Sequence, residues 1–105
     1  MSSSEAQFSV GDVIRHRRFG YRGVIIDVDA TFKLSEEWYE QVARSRPPKD
    51  KPWYHVLVHE ASQQTYVAER HLELDPDAEQ IDHPDLGAHF TNFHEGRYYS
   101  KRATN

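Results

Sequence analysis

The sequence predicts a mainly β protein: a small antiparallel meander, one helix inserted between its second and third strands, and an irregular C-terminal tail. Three observations predict it. Val24-Ile25-Ile26-Asp27-Val28 and Trp53-Tyr54-His55-Val56-Leu57-Val58 concentrate β-branched and aromatic residues over strand lengths. A glycine-hinged corner, Phe19-Gly20-Tyr21-Arg22-Gly23, feeds directly into the first of them. Only residues 36–44 repeat apolar positions at helical spacing.

The first seven residues are small and polar and predict a flexible N-terminus. Gly11-Asp12 marks a turn, and residues 13–16 form a short strand that the 19–23 corner reverses into the long one. In that long strand Val24, Ile26 and Val28 share one face, whereas Ile25, Asp27 and Asp29 share the other. Alternation therefore predicts a core of Val13, Val24, Ile26, Val28, Tyr54, Val56, Val58 and Val67, with Trp53, His55, Leu57 and His59 turned away. The helix over 36–44 has Ser35 as N-cap and Glu36 and Glu37 in its first turn. Leu34 and Tyr39 hold staple positions, and Pro47-Pro48 blocks continuation. Residues 49–52 form an exposed basic linker. After the 53–59 strand, a polar turn leads to a fourth strand at 65–68, and 69–74 close as a short helical turn burying Leu72. The folded unit spans 8–74. Residues 75–105 are an acidic linker followed by an aromatic tail without a clear period.

With 105 residues the chain has material for one modest core. It contains no cysteine, which excludes disulfides, thiolate metal sites and a cysteine nucleophile. Neither a signal peptide nor an apolar run of membrane-spanning length is present, so the expected location is the cytoplasm, without a membrane partner.

Seven histidines raise the question of a metal. On a strand, however, His55 and His59 stand roughly 13 Å apart, too far to share an ion, and His89 and His94 fall in the irregular tail. No nucleophile elbow, phosphate loop or dinucleotide fingerprint occurs. The expectation is a non-enzymatic protein with no catalytic residue, metal or cofactor.

The net charge of −4 is unevenly spread. Arg15, Arg17, Arg18 and Arg22 surround the opening turn, and Lys49 and Lys51 follow Arg44 and Arg46 in a second basic group. Residues 69–85 are acidic apart from Arg70. Arginines supply phosphate contacts and rings supply stacking, so the turn carrying Phe19 and Tyr21 is a candidate DNA contact. Equally, the two rings can plug one end of the fold while the arginines keep that end soluble. In the tail, Phe90, Phe93, Tyr98 and Tyr99 give an aromatic density that predicts either docking on the fold or engagement by a partner.

Four motifs occur in order: Val13-Ile-Arg-His16, the 19–29 stretch, Pro52-Trp-Tyr-His-Val-Leu-Val58 and Thr65-Tyr-Val-Ala-Glu69. In order and spacing they resemble the bacterial heat-shock protein HspQ family, with its YccV-like hemimethylated-DNA-binding domain. The resemblance covers residues 8–74. It implies a small SH3-like antiparallel β-barrel, a cytoplasmic role in the heat-shock stress response, and DNA binding with a preference for hemimethylated sites. It also implies a partnership with Lon protease as an adaptor in proteolysis regulation, acting on proteins such as forms of DnaA. A homo-oligomer is compatible with it. The resemblance transfers no DNA-contacting residue; the charge clustering itself makes Arg15, Arg17, Arg18, Arg22, Lys49 and Lys51 the candidate DNA-binding residues, and the aromatic tail makes Phe90, Phe93, Tyr98 and Tyr99 the candidate protease-engagement residues.

Overall fold

A computed structural model describes residues 5–100. Its strands β1 (Val13–His16), β2 (Arg22–Asp29), β3 (Trp53–Val58), β4 (Gln64–Ala68) and β5 (Leu72–Leu74) form one sheet in the order β4-β3-β2-β1-β5, every neighbouring pair antiparallel. Helix α1 (Glu36–Val42) is inserted between β2 and β3, and Ser35 caps it by accepting the Trp38 N–H at 3.1 Å. Among the described residues no helix is long and apolar enough to cross a membrane.

The 69–74 segment differs from expectation. Only Glu69–His71 form a helical turn; Leu72–Leu74 continue as a strand, laid along β1 in the register Ile14 to Leu74 and His16 to Leu72. That turn carries the chain from one edge of the sheet to the other, and no ladder joins β4 to β5 among the described residues. The sheet is open at this seam and is not closed into the expected barrel.

Both faces of the sheet are buried, which corrects the predicted core. On one face Ile14, Ile25, Tyr54, Val56, Val67 and Leu72 pack with Phe8, and Val28 and Tyr21 lie against them. On the other, Val13, Val24 and Leu57 meet Ile81, Phe90 and Tyr98. Val13 and Val24 therefore do not share a face with Tyr54 and Val56. Ile25 is fully buried although alternation placed it outside, and Ile26 is only partly buried. The cause is a bulge. The β2–β3 register runs Val24 to Leu57 and Ile25 to Val56, then resumes Asp27 to His55 and Val28 to Tyr54, skipping Ile26. One extra residue inverts the parity of everything after it, so Ile25 and Val28 end on one face.

The second face is covered by the segment expected to be an irregular tail. It forms helix α2 (Leu86–His89) and a hairpin of β6 (Asn92–His94) and β7 (Arg97–Tyr99). Tyr98 is the anchor: its backbone N–H donates to the Gly11 carbonyl at 2.9 Å, and its hydroxyl accepts from the buried Ile81 N–H at 2.7 Å. Gly11 is required at that crossing, because its φ is +96° and a Cβ there would lie 2.2 Å from the Tyr98 carbonyl oxygen. Arg97 adds an ion pair to Asp12 and a 3.1 Å bond to the Val10 carbonyl.

A third cluster, Tyr39, Ala43, Trp53 and Ala68 with Phe32, Trp38 and Tyr66, fixes α1 against the β3–β4 end of the sheet. The Tyr39 hydroxyl donates to the Pro47 carbonyl at 2.6 Å and the Trp53 indole donates to Pro48 at 3.0 Å. The carbonyls of both prolines thus order the loop after α1, while the helix itself stops earlier, at Val42 with Ala43 as C-cap.

Candidate nucleic-acid interface

The β1–β2 turn is shaped from within. His16 is buried, and its Nδ1 accepts the backbone N–H groups of Arg18 and Phe19, both at 3.1 Å, while Gly20 supplies the left-handed φ of +79°. An imidazole accepting two donors at Nδ1 is neutral there. Burial, together with the neighbouring His71 and Arg18, holds its pKa below the usual histidine value. Rings stack in a row: Phe19 on His16 at 4.6 Å and His16 on His71 at 5.5 Å. His71 in turn contacts the Ser45 hydroxyl at 2.8 Å.

Of the two rings expected to plug the fold, only Tyr21 turns inward. It is partly buried against the first cluster, with its hydroxyl 2.8 Å from that of Thr65. Phe19 is 71% exposed at the tip of the turn.

The arginines of the basic turn differ in what holds them. Arg15 donates to Glu73 through Nε at 2.9 Å and Nη2 at 2.7 Å. Arg17 donates to the Leu72 carbonyl at 3.0 Å and stands 3.7 Å from Glu73. Arg22 binds Asp75 at 2.6 Å, and Asp75 is buried. The acidic stretch thus folds back along β1 and neutralises much of the basic one. Arg18 is exposed and has no carboxylate partner among the described residues; its guanidinium lies 5.9 Å from the Phe19 ring centroid. Lys49 pairs with Glu36 and sits 4.3 Å over the Tyr39 ring. Lys51 is half-buried just before β3, and neither lysine borders the groove that runs beside the turn.

Beside the turn runs an open groove of about 760 Å³. Its walls are the turn itself and the stretch from Leu34 to Pro47 that contains α1; its floor comes from β3 and β4. Trp38, Trp53, Tyr66 and Phe19 line it, and Arg18 and Arg44 stand on its rim. The aromatic part of the floor is rigid: Trp53 stacks on Tyr66 at 5.2 Å, and Trp38 meets Tyr66 edge-on at 5.6 Å. Beneath it the Tyr66 hydroxyl donates to Asp29 at 2.7 Å; burial and that bond push its pKa up, so the phenol stays protonated. Sequence reading missed this groove because its walls come from segments distant in the chain. Trp38, Trp53 and Tyr66 come together only in the fold, and nothing in their spacing along the chain signals it.

Asp27, Asp29 and His55 bring one ligand atom each within 4.8 Å of one another. The Asp29 oxygen already accepts from Tyr66 and lies 3.3 Å from His55, and Asp27 accepts the Val28 backbone N–H at 2.9 Å, so these carboxylates are taken up in holding the end of β2. Of the aromatic tail residues, Phe90 and Tyr98 are buried in the second cluster and Phe93 packs on it, whereas Tyr99 stays exposed.

Comparison with known proteins agrees with the motif pattern. The family model described as "Hemimethylated DNA-binding protein YccV like" matches residues 6–97, a span that includes the C-terminal hairpin almost to its end. F-box only protein 21 of Mus musculus is 35% identical over 98 residues, and those of Homo sapiens and Pongo abelii are each 34% identical over 98 residues. The match takes in 91% of this chain but only 15% or 16% of each relative, so the chain spans about a sixth of their length.

Proposed function

Because the chain belongs to the YccV-like hemimethylated DNA-binding family, we propose that it is a non-enzymatic DNA-binding module whose β1–β2 turn and groove rim meet the DNA backbone. The observation that carries this reading is the pairing, at one edge of the groove, of Arg18 without a carboxylate partner among the described residues and the exposed Phe19 ring. Overall negative charge weakens distant attraction to a polyanion, so binding depends on local cations. Arg18 and Arg44 make the first phosphate contacts. Arg15, Arg17 and Arg22 contribute where phosphate competes with Glu73 and Asp75, and Lys49 and Lys51 extend the contact beyond α1. Preference for hemimethylated sites is part of the same proposal. Fluorescence anisotropy with a labelled duplex in unmethylated, hemimethylated and fully methylated forms tests it. Tightest binding to the hemimethylated form supports the reading, and absence of duplex binding at low salt removes it.

The finer roles that the resemblance implies are separate proposals. They are a heat-shock response in the cytoplasm and a Lon adaptor role toward proteins such as DnaA forms; assembly into a homo-oligomer is a further proposal that the resemblance does not imply. With Phe90 and Tyr98 committed to packing, Tyr99 and the partly buried Phe93 are the tail rings a protease could reach without undoing the fold. Following DnaA loss in a purified Lon reaction with and without this protein tests the adaptor role.

A further inference from the structure

Resting on the DNA-binding reading above, we infer that the aromatic groove is a receptor for a single unstacked nucleobase drawn out of the duplex, its phosphates held by Arg18 and Arg44 on the rim. Three features of the groove converge on that ligand. Its volume, about 760 Å³, falls within the roughly 300–1,000 Å³ range of small-molecule sites, ample for one nucleotide. Its lining includes no aspartate or glutamate, in a chain with 17 acidic against 13 basic residues; Asp29, the carboxylate bonded to the lining residue Tyr66, is also engaged by His55. An anionic ligand therefore meets no like charge on the lining, and two guanidinium groups at the rim.

The lining also has the chemistry of a base. Trp38 and Tyr66 are flat, only partly buried surfaces for stacking, and Gln63, Gln64 and Thr65 bring amide and hydroxyl groups able to bond base edges. Leu34 and Val42, both exposed on the opposite wall, add an apolar lip. Phe19 completes the device. A ring 71% exposed, backed by the stack on His16 and His71 and with the Arg18 guanidinium 5.9 Å from its centroid, has the form of the apolar wedges that part base steps. An acidic peptide would satisfy the rim as well, but the rigid stacked floor favours a planar heterocycle.

Extruding a paired base costs unstacking and unpairing, whereas a bulged base is already free of its partner. The test compares a duplex carrying one bulged adenine with the fully paired duplex of the same sequence, by anisotropy. The bulged duplex is expected to bind roughly tenfold tighter, within what base–aromatic stacking supplies. In Trp38→Ala the ratio of the two affinities should fall to near one. Val42→Glu, an exposed substitution that adds a carboxylate to the lip, should do the same, which separates loss of the groove from loss of the fold. Deoxyadenosine monophosphate should quench tryptophan fluorescence in the wild type. Equal affinity for both duplexes overturns the base receptor while leaving backbone binding intact; failure to bind either removes the DNA reading itself. Saturable quenching by a hexapeptide of alternating aspartate and phenylalanine, with none by the nucleotide, overturns it in favour of a protein ligand.

Discussion

Replacing Ile25 by Ala should destabilise the domain far more than replacing its neighbour Ile26, the reverse of what strand alternation predicts. Ile25 is fully buried among Ile14, Tyr54, Val56, Val67 and Leu72, in the register position opposite Val56. Truncation there removes three carbons from a site closed on all sides, and buried Ile→Ala changes cost about 2–5 kcal/mol. At about 3 kcal/mol, a domain of this size loses roughly 12–24 °C in Tm. Ile26 occupies the bulge, is partly exposed and only borders the second cluster, so its truncation should cost about 1 kcal/mol. Urea unfolding of both variants, followed by tryptophan fluorescence, gives the two values on one scale. An Ile26→Ala loss equal to or above that of Ile25→Ala would refute the bulge and the assignment of faces that follows from it.

Deleting residues 87–105 should lower Tm sharply, because it strips Phe90 and Tyr98 from Val13, Val24 and Leu57; a thermal scan that does not move would mean the second face needs no cover. Tyr98→Phe should cost about 1–3 kcal/mol in denaturant unfolding by leaving the buried Ile81 N–H without its acceptor. Gly11→Ala should be still more damaging, since strain at positive φ adds to a clash with the Tyr98 carbonyl. Acid should loosen the β1–β2 turn. The folded-state pKa of His16 is depressed, so its contribution is complete above the ordinary histidine value near 6.5 and is lost as pH falls from there through the folded pKa. Burial lowers the pKa of the stacked His71 as well, so a pH titration of stability should show a step below about 6.5 that His16→Asn, which keeps a side-chain acceptor without titrating, reduces but does not abolish.

What the sequence made legible was local. Strands at Val13–His16 and Trp53–Val58 and the Ser35-capped helix are visible because propensity, caps and proline breakers act within a few residues. Face assignment failed at Ile25 because a one-residue bulge has no signature in a run of β-branched residues. The strand at Leu72–Leu74 was hidden by its length of three residues and by the exposure of Leu74. The C-terminal cover was missed because its apolar residues, Ile81 and Phe90 before the hairpin and Tyr98 within it, serve a face formed by β1 to β3 and carry no period of their own. Gly23 shows the same limit: its lack of a side chain suggested a turn, yet it lies within β2, where a Cβ would come within 2.5 Å of Val56 and 2.6 Å of the Leu57 carbonyl oxygen. Of the site, the basic turn was legible, but the acid pairing that occupies Arg15, Arg17 and Arg22 depends on β5 lying beside β1.

That pairing decides how DNA binding is best tested. Removing Arg22 would strand the buried Asp75 and confuse loss of contact with loss of fold. Arg18 and Arg44 are exposed and have no carboxylate partner among the described residues, so both can be changed to Ala with the fold intact. The decisive measurement is the slope of log affinity against log salt for a hemimethylated duplex, in the wild type and in the Arg18→Ala, Arg44→Ala double variant. Each lost phosphate contact should reduce the slope by about 0.9, so the double variant is expected to be shallower by roughly 2, with weaker binding at every salt concentration. An unchanged slope and affinity would place the DNA on another surface of the protein.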